Sequence, residues 1–154
     1  YGLQLAAIEF ARDVVGLKGA SSTEIDENTK YPIVHDIPFD PKYQRIKGNG
    51  VSMRLGAYTS VIKPGTLASK IYGQKEISER HRHRYEFNND YRQALTDKGF
   101  VISATSPDDF FVEMIELPKD VHPFFLATQA HPEYKSRPLS PHPVFLAFLQ
   151  AASK

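Results

Sequence analysis

The 154-residue chain contains no cysteine. That excludes disulfides, thiolate metal sites and a thiol nucleophile among these residues, and it fits a cytoplasmic setting. No apolar run approaches the roughly 20 residues that span a bilayer, and Tyr1 is followed by neither a basic leader region nor a small-residue cleavage site. Excess charge is missing too. The 19 Lys+Arg against 18 Asp+Glu leave +1, so bulk electrostatics call for neither nucleic acid nor an anionic membrane, and any polar partner must be recognised locally. There is no internal repeat or low-complexity tract. The 41% of hydrophobic residues suffices for one buried core, and the length for a single domain over residues 1–154.

The chain opens inside a strong helical pattern from Gly2 to Val15, with Gly16 as its stop. No cap stands before Tyr1, so we expect a segment upstream. Ser21 to Glu24 and then Asp26 to Gly50 are rich in turn-forming residues and read as a loop excursion. Alternation at Met53, Leu55 and Ala57 predicts a strand, Gly65 to Tyr72 a short helix, and Glu79 to Phe87 an extended piece. Asn88-Asn89-Asp90 caps a helix over Tyr91 to Lys98, ended by Gly99. Three β-rich runs follow at Phe100–Ala104, Phe111–Leu117 and Pro123–Gln129, the last running into His131-Pro132-Glu133. Val144 to Ala152 reads as a closing amphipathic helix with Val144, Phe145, Phe148 and Leu149 on one side. The mixture indicates an α/β sheet protein, in which ligands bind at the carboxyl ends of strands.

His131 and Glu133 lie two residues apart at such an end, where extended backbone would send both side chains to one face. A carboxylate can orient an imidazole and stabilise its protonated form, which suits a base that deprotonates a nucleophile and later protonates a leaving amine. A loop histidine beside a surface glutamate fits the same spacing. In Arg80-His81-Arg82-His83-Arg84-Tyr85-Glu86 a strand would place the three arginines on one face and His81, His83 and Tyr85 on the other. A guanidinium there suits a ligand carboxylate, the run as a whole could be a phosphate or RNA patch or a charged edge strand, and His81 and His83 lack a ligand set for a metal.

Taken together, the segments Gly2–Ala6, Glu9–Arg12, Ser22–Glu24, Met53–Gly56, Glu79–Glu86, Val112–Glu116 and Gln129–Pro138 resemble the glutaminase domain of CTP synthase, in that family's order. The Glu79–Glu86 run is particular to that domain, whereas His131-Pro132-Glu133 is shared by class I amidotransferases. The resemblance implies the C-terminal two-thirds of a three-layer α/β/α, flavodoxin-like domain with a mainly parallel central sheet. It also implies a nucleophilic cysteine immediately before Tyr1, on a strand-to-helix turn whose helix dipole lowers the thiol pKa.

Further implications attach to individual residues. His131 is the acid and base, Glu133 its orienter, and the backbone N–H of Tyr1 an oxyanion donor. Gln4 and Glu24 hold the amide end and the α-amino group of glutamine, Arg84 clamps its α-carboxylate, and Tyr85 lines the pocket. Without the resemblance, Gln4 reads as an exposed helix-start residue and Glu24 as a loop or capping carboxylate. The family also implies no cofactor or metal in this domain. A synthase domain N-terminal in the same polypeptide would use ATP and Mg to convert UTP to CTP, with GTP as allosteric activator and a homotetramer as the assembly. Neither nucleic acid nor membrane is implied as a partner. Another class I amidotransferase, or a non-catalytic interaction module of the same fold, is the remaining alternative. Ala130 and Tyr134 stand where the family more usually has aromatic and Phe side chains, respectively.

Overall fold

In the computed structural model, residues 1–37 and 53–153 are described. Helix α1 (Gly2–Phe10) is built from strong helix formers and buries Leu3, Gln4, Ala7 and Ile8, positions that fall on one side of a 3.6-residue turn. It widens into a π-helical turn over Ala11–Val15, which keeps Ala11 buried. Gly16 then stops the helix in the left-handed region at φ 87°, where a Cβ would be strained, and its N–H closes on the Ala11 carbonyl.

Strands β1 (Ala20–Ser22) and β2 (Tyr31–Asp36) occupy part of the span whose composition predicts loop. The correction has a tertiary origin: Ala20, Ile33 and Val34 are fully buried in the core that also takes Leu3, Ala7 and Ile8 of α1. Packing against that helix decides the strand state, which turn-rich local composition does not report. The rest of the expected excursion, from Pro38 to Gly50, lies outside the described residues, as does Val51.

The remaining elements follow the predicted order with shifted ends. They are β3 (Arg54–Ile62), α2 (Leu67–Tyr72), β4 (Glu76–His83), β5 (Tyr85–Phe87), a 3₁₀ turn at Asn89–Tyr91, α3 (Arg92–Thr96), β6 (Val101–Thr105), β7 (Val112–Glu116), β8 (Leu126–Thr128) and α4 (Pro143–Ala152). They form two sheets. One has the order β1-β2-β5, and the other the order β4-β3-β6-β7-β8.

Only β1 and β2 pair in parallel among the described strands; every other pair is antiparallel. The expectation of a mainly parallel sheet is therefore corrected for the described residues. Short connections such as the Ser106–Phe111 turn between β6 and β7 return the chain directly beside itself, which antiparallel pairing permits and parallel pairing does not.

Two cores flank this arrangement. The larger joins α1, β2, β5 and β6 through stacked Phe87 and Phe100 rings 6.0 Å apart, with Phe10 5.1 Å from Phe100. The smaller packs α2 through Ala68 on Ile62, Ile77, Ala104 and Met114. Glu116 at the end of β7 caps α2 by accepting from the Leu67 and Ala68 N–H groups at 2.7 and 3.1 Å. The closing helix departs from expectation. Its apolar residues Phe145, Leu146, Phe148 and Leu149 are 39–62% exposed, so among the described residues it buries no core face.

The Arg84 bend positions the site. It joins β4, at the edge of the larger sheet, to β5, which pairs with β2 in the smaller one. The N-terminus of α1 and the loop after β8 meet at this corner.

Candidate active site

A cavity of about 570 Å³ opens at that corner. Tyr1 and Gln4 reach it from α1, Glu24 from the loop after β1, Arg84 and Tyr85 from the bend, and His131 from the loop after β8. Every proposed glutamine-binding residue thus shares one cavity, although Gln4 and His131 are 127 positions apart in the chain.

His131 is held by its own backbone and by Glu133. Its N–H donates to the Arg80 carbonyl of β4 at 2.8 Å, and its Nδ1 lies 2.6 Å from Glu133 Oε1. A carboxylate only accepts, so Nδ1 carries the proton of the neutral ring and Nε2 is the basic nitrogen. Partial burial works to raise the Glu133 carboxyl, but the hydrogen bond from His131, a backbone hydrogen bond and the nearby positive charges together outweigh it and hold Glu133 below the usual carboxylate range. Tyr134 adds a third restraint, its ring stacked on the imidazole at 5.3 Å and 27°.

The local backbone differs from the strand expected here. Strand β8 ends at Thr128, and Pro132–Tyr134 forms a 3₁₀ turn, begun by His131 at φ −110° and ψ 84°. The two side chains meet because the turn folds Glu133 back toward the ring, not because strand alternation sends both to one face.

Gln4 is not an exposed helix-start residue. It is 6% exposed, and its Nε2 donates to the Tyr85 carbonyl at 2.8 Å and to Gln129 Oε1 at 3.3 Å. Glu24 is exposed and accepts from the Tyr1 hydroxyl at 2.9 Å, a bond that pushes the Tyr1 phenol up. Arg84 is exposed at the rim, while its carbonyl accepts from the Ile37 N–H at 2.9 Å. The alternation predicted for the arginine-histidine run holds through β4, where Ile77, Glu79 and His81 are buried and Arg80 and Arg82 exposed, and ends at the Arg84 bend.

Sequence reasoning assigned no role to Met53, Thr128 or Gln129, which also line the cavity. Met53 and Gln129 lie in segments that carry the resemblance, so their positions held a signal; Thr128 held none. Among the described residues no group of three or more His, Cys, Asp or Glu is placed to hold a metal ion. His81 and His83 instead face each other, Nδ1 to Nε2, at 3.2 Å.

A cavity lined by an oriented imidazole and an exposed guanidinium offers the groups for an acid–base step and for pairing with a ligand carboxylate. Comparison with known proteins agrees. The glutamine amidotransferase class-I family model matches residues 1–151, and the chain belongs to that family. Within it, the chain is similar to CTP synthases. It is 54% identical over 153 residues to that of Staphylococcus carnosus (strain TM300), covering 99% of this chain and 28% of the relative. It is 55% identical over 151 residues to that of Trichormus variabilis, covering 98% of this chain and 27% of the relative. The chain therefore spans just over a quarter of the length of these relatives. Among solved structures, the Trypanosoma brucei CTP synthase glutaminase domain with bound acivicin superposes with a TM-score of 0.85 at 36% identity, covering 98% of this chain and 57% of that one.

Proposed function

We propose that the complete polypeptide carrying this chain hydrolyses L-glutamine to glutamate and ammonia, with a cysteine immediately before Tyr1 as nucleophile. The observation that carries the reading is the His131–Glu133 pair opening onto the same cavity as Gln4, Glu24 and Arg84. The thiolate adds to the glutamine side-chain carbonyl, and the Tyr1 backbone N–H at the start of α1 donates to the developing oxyanion. His131 Nε2, carrying the proton it took from the cysteine thiol, gives that proton to the departing ammonia. It then takes a proton from the water that cleaves the γ-glutamyl thioester, while Glu133 holds the ring and stabilises its charged form. Arg84 meets the substrate α-carboxylate, Glu24 its α-amino group, and Gln4 and Tyr85 complete the pocket.

The ammonia is used by a synthase domain of the same polypeptide for amination of UTP to CTP with ATP and Mg. GTP is the activator and a homotetramer the assembly. Similarity to CTP synthases supports this wider assignment. The test compares CTP formation from glutamine and from ammonium chloride in the complete polypeptide and in His131→Ala. The reading expects glutamine-dependent synthesis to fall by about 10²-fold or more, with ammonia-dependent synthesis retained. Retained glutamine use would overturn it.

A further inference from the structure

The Arg80–Glu86 run supplies Arg82, His83, Arg84 and Tyr85 to the cavity, yet its histidines take no part in the hydrolytic steps. Their hydrogen bonds nonetheless have a fixed direction. The Tyr85 carbonyl can only accept, so His83 Nδ1, 2.9 Å away, carries a proton. In a neutral ring Nε2 is then an acceptor, and His81 Nδ1 donates to it across 3.2 Å. His81 Nε2 is then the lone-pair nitrogen of its neutral ring; it lies 3.5 Å from Glu113 Oε2, and the two make no hydrogen bond. Glu113 Oε1 lies 2.7 Å from Arg54, whose guanidinium is held between the Tyr58 and Phe111 rings at 4.4 Å from each. Burial, then the Arg54 charge, pushes both imidazoles down, to about 2 for His81 and about 3 for His83, so both rings are neutral.

The Tyr85 carbonyl has a second donor. Gln4 Nε2 reaches it at 2.8 Å from α1, so one oxygen joins the His81–His83 pair to the helix that begins the site. This oxygen belongs to the residue after Arg84, at the bend where the backbone passes between the two sheets. Whatever fixes the Tyr85 peptide also fixes the direction of the Arg84 side chain and of the Gln4 amide.

We propose that His83 is a positioning residue for the substrate: its Nδ1–H, with its Nε2 held by the His81 Nδ1–H, pins the Tyr85 carbonyl one residue after Arg84 and thereby holds the Gln4 amide and the backbone beside Arg84 at the ligand. The inference rests on the glutamine-hydrolysing reading above. It also gives the alternating run a single explanation. The arginine side is exposed, and on the histidine side buried His81 braces half-buried His83 at the cavity wall.

The test uses the complete polypeptide with glutamine and with ammonium chloride as alternative nitrogen donors, in His83→Asn and His83→Gln. An Asn amide places a donor where Nδ1 stands, whereas a Gln amide places one where Nε2 stands. Loss of one of the two hydrogen bonds to this carbonyl corresponds to about 2- to 13-fold in an equilibrium constant. His83→Gln is therefore expected to raise the glutamine KM by about fivefold or more, and His83→Asn to bring it back toward the parent value. Turnover with ammonia should be alike in both, which also shows that both fold. Equal glutamine KM values in the two variants overturn the positioning role, as does a parallel loss of ammonia-dependent turnover in His83→Gln. An unchanged protein that releases no glutamate from glutamine overturns the functional reading, and the inference with it.

Discussion

At the scale of single residues, the account turns on groups whose roles differ although their environments adjoin. Glu133 accepts from the ring of His131 and does not line the cavity among the described residues, so Glu133→Gln should leave the glutamine KM near the parent value and lower kcat by about 10²-fold. Steady-state kinetics at saturating glutamine check this, and unchanged kcat would mean that the ring is oriented by Tyr134 stacking and its backbone alone. Arg84 is expected to behave in the opposite way. Arg84→Ala should raise the glutamine KM by about 10- to 100-fold while sparing turnover with ammonia, because a charge-assisted pair to the substrate is lost and the synthase reaction is untouched. Equal loss with both nitrogen donors would make Arg84 structural.

The residue pair was legible in the sequence because a two-residue spacing survives the difference between strand and 3₁₀ turn. Gln4 was legible only through resemblance. Its burial depends on Tyr85 and Gln129, which are 81 and 125 positions away in the chain.

At the scale of elements, helix ends and strand alternation were readable where local chemistry decides them. Gly16 and Gly73 stop their helices in the left-handed region, and the Asn88 side chain caps the turn after β5 by accepting from the Asp90 N–H at 3.0 Å. Strands β1 and β2 were hidden because their backbones are paired by partners far along the chain and their side chains packed by α1. Thr66 caps α2 locally by accepting from the Ser69 N–H, but the added Glu116 cap was hidden for the same reason, since Glu116 reaches the helix from 49 positions away. Glu116→Ala should cost about 1–2 kcal/mol, through loss of two cap bonds and a favourable charge at the helix start. A thermal melt would show this as a fall of several degrees, with the glutamine KM unchanged. An unaltered melting point would mean that water caps the helix equally well.

At the scale of the whole molecule, the fold brings carboxyl groups together in its interior, which links stability to pH. Glu86 is 2% exposed, and burial, against the opposing Arg54 charge and with Glu113 nearby, pushes its carboxyl up to about 9 from an ordinary 4.5. A carboxyl raised in the folded state holds its proton there, so its contribution is full below the ordinary value and is lost as pH rises toward 9, at up to about 1.4 kcal/mol per pH unit. Glu86→Gln, which resembles the protonated group, should therefore match the parent near pH 4 and become progressively more stable than it between neutrality and pH 9. Chemical denaturation across that range checks the sign. A gap that closes as pH rises would mean that Glu86 is ionised in the fold.

Sheet direction belongs to this scale too and was not legible, because alternating apolar residues look alike in parallel and antiparallel strands. The apolar side of α4 was visible as a pattern, but a pattern does not say what covers it, and Phe148 and Leu149 are 55% and 62% exposed. The corner where the two sheets meet at Arg84 is likewise a property of the assembled chain, and it is what gathers α1, the bend and the β8 loop around one cavity. That convergence is the strongest support for glutamine hydrolysis. Its most direct test is to quench the complete polypeptide with acid during turnover of labelled glutamine and to map the label by peptide mass. The account predicts a γ-glutamyl thioester on a cysteine immediately before Tyr1, depleted again as glutamine runs out. A different residue at that position, or glutamate released with no label on the protein at any time, would contradict it.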